Sequence, residues 1–153
     1  MMNFITYFAL LVSSFSWLSS DTSIKNTNAP QPAFGCKSYY DTTLGLTVYT
    51  GVETVPEYPG GAPAWGRYIN RNFNTNDIDA TMDCNLRIKL VIDSAGMIRR
   101  TVPMRGETEV KEPNALEKEA LRIYRKSGKW KPGTCNGNNV TTEFVQALNP
   151  CDR

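Results

Sequence analysis

Apolar residues repeat at helical spacing directly after a turn that is rich in proline and glycine. The stretch VPEYPGGAPAWGRYI, from Val55 to Ile69, places Pro63 in a first helical turn, where a missing N–H is tolerated. Trp65, Ile69 and Phe73 recur at every fourth position. This spacing predicts a helix with one apolar stripe that faces the core.

Alternation with a period of two follows further along the chain. The run LRIKLVI, from Leu86 to Ile92, alternates apolar and basic residues over most of its length, which predicts a half-buried strand. Asp93 to Gly96 has the residue types of a tight turn, and alternation resumes from Ile98 to Met104, although Arg100 interrupts the apolar face. We therefore predict a hairpin. Because Pro103 cannot donate to a ladder, its second strand should lie at a sheet edge or carry a bulge.

A second helix is predicted between Asn114 and Gly128. Asn114 stands three residues before Glu117, a variant of the capping box, and Gly128 is a typical C-terminal stop. The predicted core stripe of this helix consists of Leu116, Ala120 and Ile123, with Tyr124 beside them. A turn anchored by Trp130 follows it, with Pro132 and Gly133.

The last pattern is a run from Asn139 to Leu148 that favours a strand and contains neither proline nor lysine. Together these patterns predict an α+β fold in which two helices pack on a three-stranded antiparallel sheet, in the order helix, strand, strand, helix, strand. A short β-rich run, Thr47 to Thr50, predicts an extra N-terminal strand as an option.

The beginning of the chain has the pattern of an export signal. Residues 1–20 carry no charge, and the apolar run from Phe4 to Val12 has the length of a signal-peptide core rather than of a spanning helix. We predict a signal peptide at 1–20, a linker and N-terminal extension at 21–45, and one domain at 46–153. The expected location is periplasmic or secreted, with a membrane anchor as the alternative if the signal is not cleaved.

Four cysteines favour disulfides in an oxidising compartment. Cys36, Cys84, Cys135 and Cys151 make an even number in a chain that we expect to be exported. A zinc site would need Cys or His at short spacing, whereas these cysteines are far apart and the chain has no histidine. We expect no bound metal.

No residue pattern indicates catalysis. The absence of histidine removes the commonest base for a nucleophile. Asp77, Asp79 and Asp83 are acids in a polar segment that we interpret as a solvated connector. The sequence Pro59-Gly60-Gly61 precedes a helix but lacks the lysine and glycine spacing of a phosphate loop. We therefore expect no enzyme activity, no cofactor and no small-molecule substrate.

Lysine and arginine are in excess between Asn85 and Lys131. Nucleic-acid binding would favour aromatic residues interleaved on one basic face, and an exported protein seldom meets nucleic acid. We interpret the excess as a solvated surface and expect no nucleic-acid partner.

Three motifs resemble the C-terminal domain of the TonB family, in its subgroup with a Pro-Gly-Gly turn. The first is VPEYPGGAPAWGRYI, the second is LRIKLVIDSAGMI, and the third is ALEKEALRIYRKSGKWKPG followed by VTTEFVQAL. The resemblance covers about residues 49–148. It identifies fold-signature positions in the turns before the first helix and after the second: Pro59, Gly60, Gly61, Trp130, Pro132 and Gly133.

The resemblance also implies a function. Domains of this family bind a short segment of outer-membrane receptors in the periplasm by adding it as a strand beside the last strand. An edge without proline or lysine is open to such strand addition. The implied partner is a TonB-dependent receptor or another envelope protein, and the implied binding residues are Val140, Thr141, Thr142, Glu143, Phe144, Val145 and Gln146.

Alternatives remain open at this point. The chain is either a stand-alone binding module or a component of TonB-dependent energy transduction, which would need an anchor and a long spacer. It could instead be a structural domain whose sheet edge is covered by its own strand near Val48, or a homodimer through the edge strand. If the first and last long strands pair as in the family, the resemblance implies disulfides between Cys84 and Cys151 and between Cys36 and Cys135.

Overall fold

The computed structural model describes residues 35–76 and 83–150. The predicted signal peptide, most of the predicted linker, Cys151 and two of the candidate acids, Asp77 and Asp79, lie outside the described residues. Asp83, the third acid, is exposed, and its carboxylate accepts hydrogen bonds from Asn85.

Ten elements make up the described fold. In chain order they are β1 (Lys37–Asp41), β2 (Leu46–Thr50), α1 (Gly61–Asn72), β3 (Leu86–Ile92), β4 (Ile98–Arg105), β5 (Thr108–Glu109), α2 (Ala115–Lys126), β6 (Gly133–Cys135), β7 (Asn138–Val140) and β8 (Thr142–Leu148).

The prediction of a three-stranded antiparallel sheet was wrong, although the fold is α+β with two described helices. The main sheet has six strands in the order β1, β2, β8, β3, β4, β5, and β2 runs parallel to β8, so the sheet is mixed. β6 and β7 form a separate two-stranded sheet. The missed strands are short or mostly exposed, so they lack the half-buried alternation from which we predict strands.

The first strand of the β1–β2 hairpin lies in the region that we predict to be linker, and the second includes the optional strand that we predict at Thr47 to Thr50. β1 and β2 pair antiparallel from Lys37 with Thr50 to Asp41 with Leu46. Gly45, in the turn, has a φ of 67°, a left-handed conformation that glycine adopts without strain. The sheet therefore begins well before residue 46.

Both long helices form where their patterns predict them. Trp65, Ile69 and Phe73 are buried against the sheet. Asn114 caps α2, with a complete capping box between Asn114 and Glu117. The helix-facing core also contains four alternating residues of β3 and the buried stripe of α2: Leu86, Ile88, Leu90, Ile92, Leu116, Ala120, Ile123 and Tyr124.

The prediction that the strand of Pro103 lies at an edge or carries a bulge is confirmed. The ladder between β3 and β4 shifts register between Val91 and Ile92. On its other side β4 pairs only through Met104 and Arg105, and the carbonyl of Pro103 accepts a hydrogen bond from Val110 at 2.9 Å. The shift places Ile98 against the helix-side core, and Arg100 lies opposite Val91, whose side chain belongs to the other face.

The sheet curls so strongly that β1 and β4 contact each other. Arg100 on β4 forms an ion pair of 2.6 Å with Asp41 on β1. Three strands lie between β4 and β1, so a flat sheet would separate them by about 19 Å at the usual strand spacing. The β1–β2 hairpin therefore folds across the sheet face that the helices leave uncovered, and it buries Val48 and Val91 completely.

A disulfide fastens this hairpin to the rest of the domain. Cys36, next to β1, is bonded to Cys135 at the end of β6, with a Cα–Cα distance of 6.2 Å. This pairing confirms one of the two implied bonds. Cys84 is also disulfide-bonded, and Cys151, its expected partner, lies outside the described residues.

Candidate functional site

The residues that we predict to form the binding edge lie in two different strands of the structure. Val140 belongs to β7, Thr141 follows it, and Thr142 to Gln146 lie in β8. The break arises because Asn136 and Gly137, both with positive φ, close a tight hairpin between β6 and β7 before the chain enters the main sheet.

The prediction that the last strand is a sheet edge was wrong at the start of that strand. β8 lies between β2 and β3. Tyr49 pairs with Thr142, and the N–H of Tyr49 donates to the carbonyl of Thr141 at 2.8 Å. The start of β8 is therefore covered by the strand that contains Val48, as one of the alternatives from the sequence predicts.

The second half of β8 has a different environment. β2 ends at Thr50, and Gly51, with a φ of 64°, turns the chain away. Because the carbonyl of Thr141 faces β2, the backbone groups of alternate residues along β8, including Val145 and Ala147, point to the same side. In the described part of the chain, no strand pairs with that side of Val145 or Ala147.

Side chains around this open half give it a mixed surface. Val145 is 40% exposed, and Ala147 is also exposed. Phe144, on the opposite face, packs against the helix-side core. The Oε1 atom of Gln146 is buried and has no hydrogen-bond partner among the described residues. We call residues 144–148, with the outward backbone groups of Val145 and Ala147, the open half of β8.

A charged cluster holds the hairpin over the first half of β8. Arg100 contacts Asp41 at 2.6 Å and Glu143 at 3.4 Å, and the hydroxyl of Tyr39 donates to Glu143 at 2.9 Å. Asp41 is only 7% exposed. The backbone N–H of Leu44, together with Arg100, holds the pKa of Asp41 below its ordinary value. The sequence signal for this cluster is Arg100 itself, which interrupts an apolar strand pattern.

The fold-signature positions of the sequence have structural roles. Gly60 caps α1 in a left-handed conformation with a φ of 85°. The indole of Trp130 is buried and donates to Ser127 at 2.8 Å. A side chain at Gly133 would collide with Thr142, so glycine lets β6 approach the start of β8. None of these groups forms a reactive arrangement.

Within residues 35–76 and 83–150, no group of three or more His, Cys, Asp or Glu side chains is placed to hold a metal ion. Across the same ranges, neither helix is long and apolar enough to cross a membrane. No protein-family model, curated protein sequence or solved structure matches this chain. The TonB assignment therefore remains a prediction from three motifs.

Proposed function

We propose that this protein is a binding module that takes up an extended peptide segment by strand addition at the open half of β8. We propose no catalytic role, because the chain has no histidine that could activate a nucleophile. The partner class, a segment of an outer-membrane receptor or of another envelope protein, rests on the motif resemblance and on the predicted export signal.

The observation that carries the proposal is the partial pairing of β8. β2 pairs with β8 only at Tyr49 and Thr142, so the outward N–H and C=O groups of Val145 and Ala147 are left without a described strand partner. An added strand would satisfy these groups and continue the line of β2 along the same side of β8. Backbone pairing of this kind supplies affinity, and pockets for alternate side chains supply specificity.

Curvature of the sheet supports the same site. The hairpin and the cluster of Asp41, Arg100 and Glu143 occupy the first half of the strand and fix where a peptide would begin.

The test is a pair of substitutions at one position. Val145→Pro removes an outward N–H that we expect to bond to the peptide, while the ladder to β3 through Phe144 and Gln146 keeps its donors. Val145→Ala removes side-chain atoms and keeps the N–H. Binding is measured by fluorescence anisotropy with labelled peptides that carry the short segment of TonB-dependent receptors to which domains of this family bind.

We expect Val145→Pro to weaken binding at least tenfold, which corresponds to about 1.4 kcal/mol, and Val145→Ala to change it less than threefold. Circular dichroism must show that both variants remain folded. If the folded proline variant binds as tightly as wild type, the open half of β8 is not the binding site.

The self-covered structural domain is the second candidate, and the pairing of Tyr49 with Thr142 favours it. In that case the hairpin exists to close the sheet, and no peptide would bind to β8. The two candidates make different predictions for residues 144–148, which the described hairpin does not cover: the binding module binds a peptide there, and the structural domain does not.

A further inference from the structure

The outermost strand of the sheet, β1, presents a second open edge. It pairs only with β2 among the described strands. The N–H of Tyr49 points to β8, so the backbone groups of its neighbours Val48 and Thr50 point to β1. Val48 and Thr50 pair with Tyr39 and Lys37, whose backbone groups therefore point to β2. The backbone groups of Ser38 and Tyr40 therefore point away from the sheet.

Two of the five large apolar residues that are exposed in the described part of the chain lie on this strand. Tyr39 is 40% exposed and Tyr40 is 64% exposed, on opposite faces of β1. The strand contains no proline, and its one lysine, Lys37, stands at the end rather than in the middle, where a charge would block pairing. Edges of this kind are templates for another strand.

We propose that β1 pairs antiparallel with β1 of a second copy of this chain. The sequence Lys-Ser-Tyr-Tyr-Asp of residues 37–41 is self-complementary when Tyr39 of each copy lies on the twofold axis. In that register all five residues of one strand lie opposite residues of the other. Ser38 then lies opposite Tyr40 of the second copy, and these two residues can form a hydrogen-bonded pair because their backbone groups point outward.

Charge favours the same register. Lys37 of one copy lies opposite Asp41 of the other, and the symmetry repeats this arrangement, which brings each lysine close to the charged cluster rather than into contact with the buried Asp41 carboxylate. Among the described residues Lys37 forms no ion pair. Asp41 belongs to the cluster with Arg100, Glu143 and Tyr39, whose two carboxylates exceed its single guanidinium. A cation on the facing strand would offset that excess.

The inference is independent of the proposed function, because β1 and the open half of β8 are different edges. Pairing through β1 leaves Val145 and Ala147 uncovered. Each copy would bring its own binding edge, and two linked edges would strengthen binding to a partner that carries two segments.

Crosslinking tests the register directly. Residues opposite each other in a non-hydrogen-bonded pair have Cα atoms about 4.5 Å apart, which is within disulfide range. Tyr39→Cys should therefore crosslink two copies under mild oxidation. Tyr40→Cys is the matched control, because its counterpart is displaced by two residues and lies beyond the limit of about 7 Å.

We expect reducible dimers for Tyr39→Cys and at least about fivefold fewer for Tyr40→Cys on non-reducing gels. Equal crosslinking of the two variants, or none for Tyr39→Cys in a folded protein, would overturn the register. A wild-type protein that sediments as a monomer at millimolar concentration would overturn the dimer itself.

Charge reversal supplies a second readout without cysteine. Lys37→Glu should weaken dimerisation about fivefold by sedimentation equilibrium, because like charges then face each other twice. Lys118→Glu, an exposed lysine on α2, changes the net charge equally and should leave the dimerisation constant unchanged. Equal effects of the two variants would contradict pairing through β1. Peptide binding at β8 should persist in both variants, so failure here is distinguishable from failure of the proposed function.

Discussion

At the scale of single residues, several residues have structural roles that the sequence alone does not show. Arg100 breaks an apolar pattern, yet it links two carboxylates across the curled sheet. Gly96 has a φ of 87°, and a side chain there would collide with the carbonyl of Trp130. Tyr124 is fully buried, and its hydroxyl has no partner in the described part of the chain.

Tyr124→Phe should be neutral at pH 7 or raise the free energy of unfolding by about 1 kcal/mol, because it removes a buried hydroxyl without a partner. Burial raises the pKa of Tyr124 above its ordinary value of 10.0. Above that pH the unfolded chain releases this proton and the folded chain keeps it, so wild-type stability should fall as the pH rises.

The variant should lose less stability than wild type between pH 9 and 11, measured by urea unfolding at each pH. Tyr40→Phe, at an exposed position, is the control and should follow the wild-type curve. A loss of more than 1 kcal/mol at pH 7 for Tyr124→Phe would show that the hydroxyl has a partner in the folded protein.

Elements were predictable where local periodicity sets their structure. The stripe of Trp65, Ile69 and Phe73 and the cap at Asn114 specify α1 and α2, and the alternation from Leu86 to Ile92 specifies β3. Elements with weak local signals were missed: β1 is mostly exposed, and β5 has two residues. The pairing of β2 with β8 joins residues about ninety positions apart, and no local pattern encodes it.

The disulfide between Cys36 and Cys135 should stabilise the fold by holding the first hairpin in place. Because it joins residues separated by 99 positions, replacing both cysteines by serine should lower the free energy of unfolding by about 2–4 kcal/mol. Urea unfolding measures the change. The double substitution leaves Cys84 untouched, whereas a reductant would not. An unchanged unfolding midpoint would mean that the charged cluster alone secures the hairpin.

At the scale of the whole molecule, the candidate site was predicted in part. The motifs directed attention to the last strand, and that strand does carry an open stretch. Its start was misjudged, because β2, a strand that we predict only as an option, covers Thr142. The sequence shows an edge-compatible strand; only the arrangement of its neighbours shows which residues are uncovered.

β8 is covered by β2 at its start and open from Val145 onward, and peptide binding at this strand requires that open part. Amide hydrogen exchange of the free protein, read residue by residue by NMR, distinguishes the covered part of β8 from the open part. Phe144 and Gln146, which face β3, should be protected, whereas Val145 and Ala147 should exchange rapidly and become protected when a receptor-derived peptide binds. Protection of Val145 and Ala147 in the free monomer at the level of Phe144 and Gln146 would show that this part of β8 is covered, and would favour a self-covered structural domain.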